Sequence, residues 1–191
     1  MRPLVFDDLV PESLSLAAWA TWPSMDDQRW HRYQTPQQNK YATRDANGVT
    51  PAAMECIRYL VAGMNQHAVD CFPDWNLDGA GMHMIRPGGW LGRHLDSDHH
   101  PIKEWTRRWS VVLCVNPEWQ DEWGGGFIHD DTFSVSQFAP KFNRVIAFET
   151  TDQSYHEVLK VTGPIARCTI SVFFWSMGIG SKKRATAEFC K

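Results

Sequence analysis

A chain of 191 residues, 43% of them hydrophobic, is long enough to bury one substantial core, so we expect a single domain over 1–191. The net charge of -3 argues against a basic face for phosphate backbones, and nucleic acid is not an expected partner. No stretch approaches 18 apolar residues, and Asp7 and Asp8 interrupt the first apolar stretch. We therefore expect a soluble, cytoplasmic protein that binds no membrane.

The N-terminal region contains two predicted helices. Residues 11–22 have a helical composition, and a stronger helix runs from Pro51 to about Cys71, with Thr50 as the N-cap and proline at the first helical position. One face of this second helix carries apolar residues at spacings of three and four, which predicts its burial. These residues are Ile57, Val61, Met64 and Ala68.

The segment 23–48 between these helices is polar and has no clear period, so we interpret it as a loop or an extension. Residues 1–80 would then form a helical support with a loop. At the other end, the tail 176–191 is polar and basic, which leaves two alternatives open: a disordered tail, or a cover over the mouth of the domain.

From Gly81 onward, short β-branched and aromatic runs alternate with glycine, proline, asparagine and aspartate, which is typical of a strand-rich fold. Eight strands after a helical support predict a mainly β fold, a double-stranded β-helix or cupin-like jelly roll, with its core over 81–175. The predicted strands are 81–86, 90–95, 108–115, 126–129, 133–138, 143–149, 155–161 and 166–175.

The five cysteines are odd in number and form no CxxC pair, so reduced thiols are expected rather than a disulfide framework. We expect four of them in or near the core. The five cysteines are Cys56, Cys71, Cys114, Cys168 and Cys190.

An HxD pair, His94 and Asp96, lies where a predicted strand meets a loop. Chance alone predicts about 0.6 such pairs in this composition, and a second one occurs at His129 and Asp131, so the motif by itself is weak. A third histidine, His156, in a strand-like segment strengthens the first pair. Two imidazoles and one carboxylate on one face of an octahedral iron(II) leave three adjacent positions for a bidentate 2-oxo acid and dioxygen.

Arg167 begins the last predicted strand, and Arg167, Thr169 and Ser171 alternate along it, so their side chains should share one face. A chelated 2-oxo diacid keeps a second carboxylate that needs a cationic partner. A guanidinium binds it through two parallel hydrogen bonds and keeps its charge. We expect Arg167 to pair with this carboxylate, while Thr169 or Ser171 supplies a hydroxyl donor.

We interpret the remaining histidines without assigning them to the metal site. His129 with Asp131 is expected to cap a strand end. His99 and His100 are expected in a solvated loop, although their proximity to Asp96 leaves a substrate-facing role open. The others are expected at ordinary surface or satisfied core positions. These are His31, His67 and His83.

The stretch from Gly88 to Trp175 resembles the catalytic core of prolyl hydroxylases, including bacterial and animal prolyl 4-hydroxylases and the hypoxia-inducible-factor prolyl hydroxylases. The matching segments, in order, are PGGWLGRHLD, RRWSVVLCVNPEW, WGGGF, APKFNRVIAFETTDQSYHEV and ARCTISVFFW. The resemblance implies that His94, Asp96 and His156 are the iron ligands and that Arg167 anchors 2-oxoglutarate.

The same resemblance implies iron(II), 2-oxoglutarate and dioxygen as cofactor and cosubstrates, leaves a need for ascorbate open, and implies a prolyl residue in a peptide or protein as substrate. This chain departs from the family at Ile85 and Arg86, where relatives commonly carry a cosubstrate-binding tyrosine, and at Cys114, where they often carry another tyrosine. The residues that decide specificity are expected in 23–48 and 97–105, which resemble nothing recognised.

Three alternatives stay open on the sequence. The same ligands could hold zinc, although zinc would not require Arg167 and its strand of hydroxyl groups. The jelly roll could be a non-catalytic sugar- or partner-binding module. Finally, the oxygenase chemistry could act on a free amino acid, a sugar or another small metabolite.

Overall fold

The structure, a computed structural model, describes residues 2–131, 134–178 and 184–190. Its helices are α1, Glu12–Ala20, and α2, Pro51–Met64, and α2 begins as predicted because the Thr50 hydroxyl accepts a hydrogen bond from the Ala53 amide. The predicted extension to residue 71 was wrong, since turns follow Met64. Ala68 is nevertheless buried, because its amide donates to the Met64 carbonyl and keeps it on the same face.

The described residues also form thirteen strands, and each of the eight predicted strands is among them. Phe133, at the edge of one prediction, lies outside the described residues. The strands are β1 Leu4–Asp7, β2 His31–Thr35, β3 Gln38–Ala42, β4 Phe72–Pro73, β5 Gly81–Ile85, β6 Trp90–Leu95, β7 Trp105–Cys114, β8 Phe127–Asp130, β9 Val135–Phe138, β10 Arg144–Glu149, β11 Tyr155–Val158, β12 Arg167–Met177 and β13 Glu188–Phe189.

The strands form one antiparallel sheet in the order β1-β10-β7-β12-β5-β3-β6-β11-β8-β9, with β13 on β6, β2 on β3 and β4 on β12. Neighbours in the sheet come from distant parts of the chain, and the sheet curls around a central cavity. This is the predicted double-stranded β-helix, and the fold class is confirmed.

The interpretation of 23–48 as a loop or an extension was wrong over residues 31–42. Residues 31–42 form the β2–β3 hairpin, and β3 lies between the main strands, pairing Tyr41 with Met84 of β5 and Gln38 with Leu91 of β6. The hairpin is polar over most of its length, although Tyr41 packs against the helix-covered core. Its backbone pairing with β5 and β6 determines its conformation, and that pairing leaves no trace in the local sequence.

The helices cover one face of the sheet, and β12 separates that core from the cavity. Cys168, Ile170 and Val172 point toward α2 and belong to the main hydrophobic cluster, while the intervening residues point into the cavity. This period-two alternation presents a polar row on one side of a strand whose other side anchors the core.

The thiols lie largely as expected: three are buried, Cys71 is half-buried, and Cys190 is exposed, and all five are free. Within the described ranges, no helix combines the length and the apolarity needed to cross a bilayer.

Candidate active site

A cavity of about 480 Å³ lies inside the curled sheet, and the six residues predicted to form the site all line it. His94 is the penultimate residue of β6, and Asp96 directly follows that strand. His156 comes from β11, and the polar row of β12 begins at Arg167. Residues up to 77 positions apart in sequence therefore meet in one space, because β6, β11 and β12 all border the cavity.

The side chains of His94, Asp96 and His156 form a compact three-donor group. His94 and His156 are direct partners across the β6–β11 pair. The Nε2 atoms of His94 and His156 lie 3.6 Å and 3.7 Å from Oδ1 of Asp96, and all three donor atoms fall within 4.8 Å of one another. Such spacing suits one metal ion in the middle.

Backbone carbonyls fix both imidazole rings. Nδ1 of His94 lies 2.8 Å from the Gly92 carbonyl, and Nδ1 of His156 lies 3.0 Å from the Ser154 carbonyl. A carbonyl can only accept, so each Nδ1 carries the hydrogen and each Nε2 presents its lone pair. Burial lowers the pKa of His156 to about 3, with a further contribution from the neighbouring His94. His156 is therefore a neutral imidazole, the form that binds metals.

The carboxylate of Asp96 is oriented by two partners on β7. Its Oδ2 accepts from the Ser110 hydroxyl at 2.8 Å and from Nη1 of Arg107 at 3.1 Å, which leaves Oδ1 toward the imidazoles. Burial would raise the pKa of Asp96, but the Arg107 guanidinium and the two histidines hold it well below its usual value. Two imidazoles and one oriented carboxylate form the donor set that suits non-haem iron(II).

Arg167 lies at the other end of the cavity and has no carboxylate partner among the described residues. It is 4% exposed, its Nε is buried without a hydrogen-bond partner, and burial lowers its pKa. The Ser171 hydroxyl is likewise buried and unpartnered, while Thr169 lines the cavity between them. A buried guanidinium beside an unused hydroxyl fits the carboxylate of a ligand.

Two neighbouring segments position Arg167. The Asn116 side chain bridges the Ala166 carbonyl at 2.9 Å and the Cys168 amide at 2.7 Å, which fixes the backbone on either side of the arginine. Gly125 has φ +67°, and a Cβ there would lie 3.0 Å from the Trp119 ring and 3.2 Å from Cδ of Arg167. The second glycine of WGGGF thus leaves space for the arginine side chain.

The family model for the "2OG-Fe(II) oxygenase superfamily" matches residues 80–175, half of the chain, and this match contains every residue of the three-donor group and the polar row. The chain belongs to this superfamily. It is a 2-oxoglutarate- and iron(II)-dependent dioxygenase. No curated protein matches the chain in sequence.

Solved structures of prolyl hydroxylases share the fold. A Pseudomonas putida prolyl-4-hydroxylase is 19% identical, with TM-score 0.69, covering 92% of this chain and 93% of its own. A Trichoplax adhaerens prolyl hydroxylase, in complex with a hypoxia inducible factor oxygen degradation domain peptide fragment, is 15% identical with TM-score 0.66 and coverages of 91% and 83%. The 2OG complex of a viral collagen prolyl hydroxylase from Paramecium bursaria Chlorella virus-1 is 12% identical, with TM-score 0.56 and coverages of 93% and 97%. At these identities the likeness shows the fold alone.

The positions where this chain departs from the prolyl hydroxylase pattern supply no polar side chain to the cavity. Ile85 lines the cavity but is apolar, and Arg86 lies outside it, over the Tyr41 ring at 4.3 Å and bonded to the Met25 carbonyl. Cys114 is buried and does not line the cavity.

Sequence reasoning missed four polar residues around this oxygenase site. Arg107 and Ser110 hold Asp96, and Lys40 and His83 line the cavity. His83 was expected at an ordinary surface or satisfied core position. Its Nε2 is instead buried without a partner. The one usable signal was the alternation on β5, which places His83 opposite Thr169 and therefore on the cavity side.

The interpretation of His100 as a residue of a solvated loop was wrong. Its side chain is fully buried, and its Nε2 lies 3.3 Å from Asp74 and 3.7 Å from Asp78. The group resembles a second metal site, but Nδ1 of His100 accepts the amides of Ile102 and Lys103, each at 3.1 Å. Nε2 therefore carries the hydrogen and donates to Asp74, so this cluster is a hydrogen-bonded support without a free imidazole lone pair.

His129 was expected to cap a strand end. It lies inside β8, buried and directly opposite His156, and its donor atoms are not part of the three-donor group. Asp131 does close a turn, since its Oδ1 accepts from the Ser134 amide at 2.9 Å. His94 and Asp96, and not His129 and Asp131, form the three-donor group with His156.

The C-terminal segment covers the cavity mouth over its described residues 184–190. Phe189, in β13, pairs with His94 of β6, and their rings lie 5.1 Å apart. Arg184 secures the segment through the carboxylate of Asp98 and the backbone carbonyl of Asp96. The alternative in which the tail covers the mouth of the domain therefore holds for residues 184–190. Residues 179–183 and 191 lie outside the described part of the chain.

Proposed function

We propose that His94, Asp96 and His156 hold iron(II) and that Arg167 binds the distal carboxylate of 2-oxoglutarate, with Thr169 or Ser171 donating a hydroxyl hydrogen to it. One observation carries this assignment: a buried guanidinium without a protein partner shares a cavity with a three-donor group whose lone pairs all converge. A hydrolytic zinc site would need the three donors alone, so Arg167 favours the oxygenase over the zinc alternative.

The reaction that we propose is hydroxylation of a prolyl residue in a peptide or protein, with release of succinate and carbon dioxide. Iron(II), when bound with 2-oxoglutarate and dioxygen, supplies the oxidant that inserts one oxygen atom into a C–H bond. The chain supplies two things. Arg107 and Ser110 hold Asp96 in place, and Phe189 and its neighbours limit the access of water at the cavity mouth.

Prolyl substrates are supported by the structural neighbours, which are named as prolyl hydroxylases, one of them with a bound peptide. We further propose that 1–191 acts as one domain, because β1 and β13, at opposite ends of the chain, join the same sheet. A free amino acid or another anionic metabolite is the second candidate, because three cations and one carboxylate line the cavity, and this charge suits an anionic metabolite as well as an acidic peptide.

The test has two stages. Iron(II) and 2-oxoglutarate are first combined with the protein without oxygen, and a weak visible charge-transfer band is expected only when both are present. Oxygen is then added with a proline-peptide library, free proline or a metabolite mixture. We expect succinate and a product one oxygen atom heavier in equal amounts from a peptide. Absence of the band would remove the proposed site, whereas coupled turnover of a metabolite alone would change only the substrate.

A further inference from the structure

Lys40 is a cation inside the cavity with no ion pair among the described residues. It lies on β3, opposite Tyr33 of β2, and β3 itself lies between β5 and β6. Its ammonium lies 5.6 Å from the centre of the Tyr33 ring at the cavity wall. Burial lowers the pKa of Lys40, and the charge of Asp96 offsets this only in part.

The cavity holds more positive charge than its proposed contents can neutralise. Its described lining contains three cations, Lys40, Arg107 and Arg167, but one carboxylate, that of Asp96. With neutral imidazoles these leave two positive charges. Iron(II) and the 2-oxoglutarate dianion cancel each other, so the loaded cavity still carries that surplus. An unpaired charge in a buried site is costly, and an anionic group on a second ligand would offset the cost.

The surplus is separated from the guanidinium that we assign to 2-oxoglutarate. The charges of Asp96 and Arg107 act on Lys40, and both of them, together with Lys40 and Arg167, act on His83. Arg107 also keeps a buried Nε without a hydrogen-bond partner. Lys40 lies on β3, whereas the polar row that we assign to 2-oxoglutarate lies on β12, and β5 separates the two strands.

We propose that Lys40 binds a carboxylate of the substrate and so selects substrates that carry a negative charge near the C–H bond to be oxidised. The inference rests on the proposed function and specifies its substrate class. Two sources can present this group: an acidic side chain or C-terminus beside a prolyl residue in a peptide, or the carboxylate of a free amino acid. The hairpin β2–β3, which the sequence did not reveal, then supplies a specificity residue.

The test compares ligands that differ only in this charge. Under anaerobic conditions, each ligand is titrated against the protein loaded with iron(II) and 2-oxoglutarate, and the shift of the charge-transfer band is followed. The pairs are L-proline against L-prolinamide, and a proline peptide flanked by aspartate against the same peptide with asparagine. We expect tighter binding of the charged member by roughly 10- to 100-fold, the range for a charged hydrogen bond. The pair that discriminates identifies the source.

Lys40→Met keeps the length of the side chain and removes its charge, and it should abolish the discrimination while leaving 2-oxoglutarate affinity within about threefold. Lys40→Arg should restore most of it. The matched control is Arg32→Met on the same hairpin, because Arg32 is exposed and does not line the cavity. If Lys40→Met does not fold, Lys40→Gln serves in its place, and thermal unfolding of each variant shows which are folded.

Three results would overturn the inference. A larger effect of Lys40→Met on 2-oxoglutarate than on the charged ligand would make Lys40 a cosubstrate contact. Equal binding of charged and neutral ligands by the normal protein would show that no carboxylate is selected while leaving the proposed function intact. Absence of the charge-transfer band in the normal protein would remove both.

Discussion

The two ends of the cavity differ in how completely the protein satisfies its own polar groups. At the end formed by His94, Asp96 and His156, both Nδ1 atoms and the second carboxylate oxygen have protein partners. At the other end, Nε of Arg167 and the hydroxyl of Ser171 have none. The first end is held in place by the fold itself, whereas the second retains unpaired donors at a cost that a bound anion would remove.

This contrast separates two kinds of functional residue. Metal ligands must converge before the ion arrives, so the chain fixes their orientation through neighbouring groups. A group that binds a ligand carboxylate must keep its donors free, so it is recognised by the absence of hydrogen-bond partners within the protein. Substitutions at the first end test whether its groups are oriented by the protein, and substitutions at the second end test whether its donors are unpaired.

The largest effect is expected from His156→Ala, which should abolish the charge-transfer band with iron(II) and 2-oxoglutarate. Two remaining donors hold the metal poorly and leave the chelate without its orientation. His129→Ala is the matched control, since His129 lies directly opposite on the neighbouring strand and is not part of the donor group. Loss of the band in the control with its retention in His156→Ala would show that the other HxD pair binds the metal.

Arg167→Leu should weaken 2-oxoglutarate binding by roughly two to four decades, since leaving one member of a buried ion pair alone costs about 3–5 kcal/mol. Bare metal binding, measured by calorimetry, should remain nearly unchanged. Without ligand, this variant should also unfold at no lower temperature than the normal protein, because its guanidinium has no partner to lose.

Arg107→Leu provides the opposite case. Arg107 is paired with Asp96 at 3.1 Å, so its removal leaves a buried carboxylate uncompensated and should lower the unfolding temperature. If the two arginine variants change apo stability equally, the distinction between a paired and an unpaired guanidinium is wrong.

Ser110→Ala should have a smaller effect, lowering metal affinity by about 10- to 100-fold, the usual range for a group that orients a ligand. The Ser110 hydroxyl donates to Oδ2 of Asp96, and without it Arg107 alone holds that oxygen. Affinity for 2-oxoglutarate, measured at saturating metal, should stay the same. A parallel loss of both affinities would mean that Ser110 supports the cavity as a whole.

The smallest effect concerns pH. Burial and the charge of Lys40 lower the pKa of His83 to about 3, from 6.5, so the unfolded chain binds a proton that the folded chain does not. Stability of the metal-free protein should therefore rise with pH between about 3 and 6.5, by up to about 1.4 kcal/mol per pH unit from this group. His83→Gln should reduce that slope in urea unfolding at pH 5, 6 and 7, while His156, whose pKa is lowered to a similar value, keeps its own contribution. An unchanged slope would show that His83 is protonated in the folded protein.

The sequence was informative where the relevant pattern is local. Arg167, Thr169 and Ser171 share a face because strand side chains alternate, and this holds whatever the partner strands are. The N-cap at Thr50 and the strand after Gly81 likewise depend on neighbouring residues only. The HxD pair became informative because segments that resemble prolyl hydroxylases surround it, in the same order, over about half of the chain.

Long-range pairing limited the prediction elsewhere. His100 is buried because Asp74, 26 positions earlier, accepts its hydrogen, and nothing in the local sequence indicates that contact. The β2–β3 hairpin is polar, and it forms strands because the backbone of β3 pairs with β5 and β6.

The sequence by itself determined the fold class, the helix start, the face of β12 and the set of six residues that meet in the cavity. Only the tertiary structure decided which groups support them, namely Arg107 and Ser110 beside Asp96, and that Lys40 and His83 join the lining. The physical reason is that alternation and capping act over a few residues, whereas the pairing of distant strands determines which polar groups find partners and which remain free.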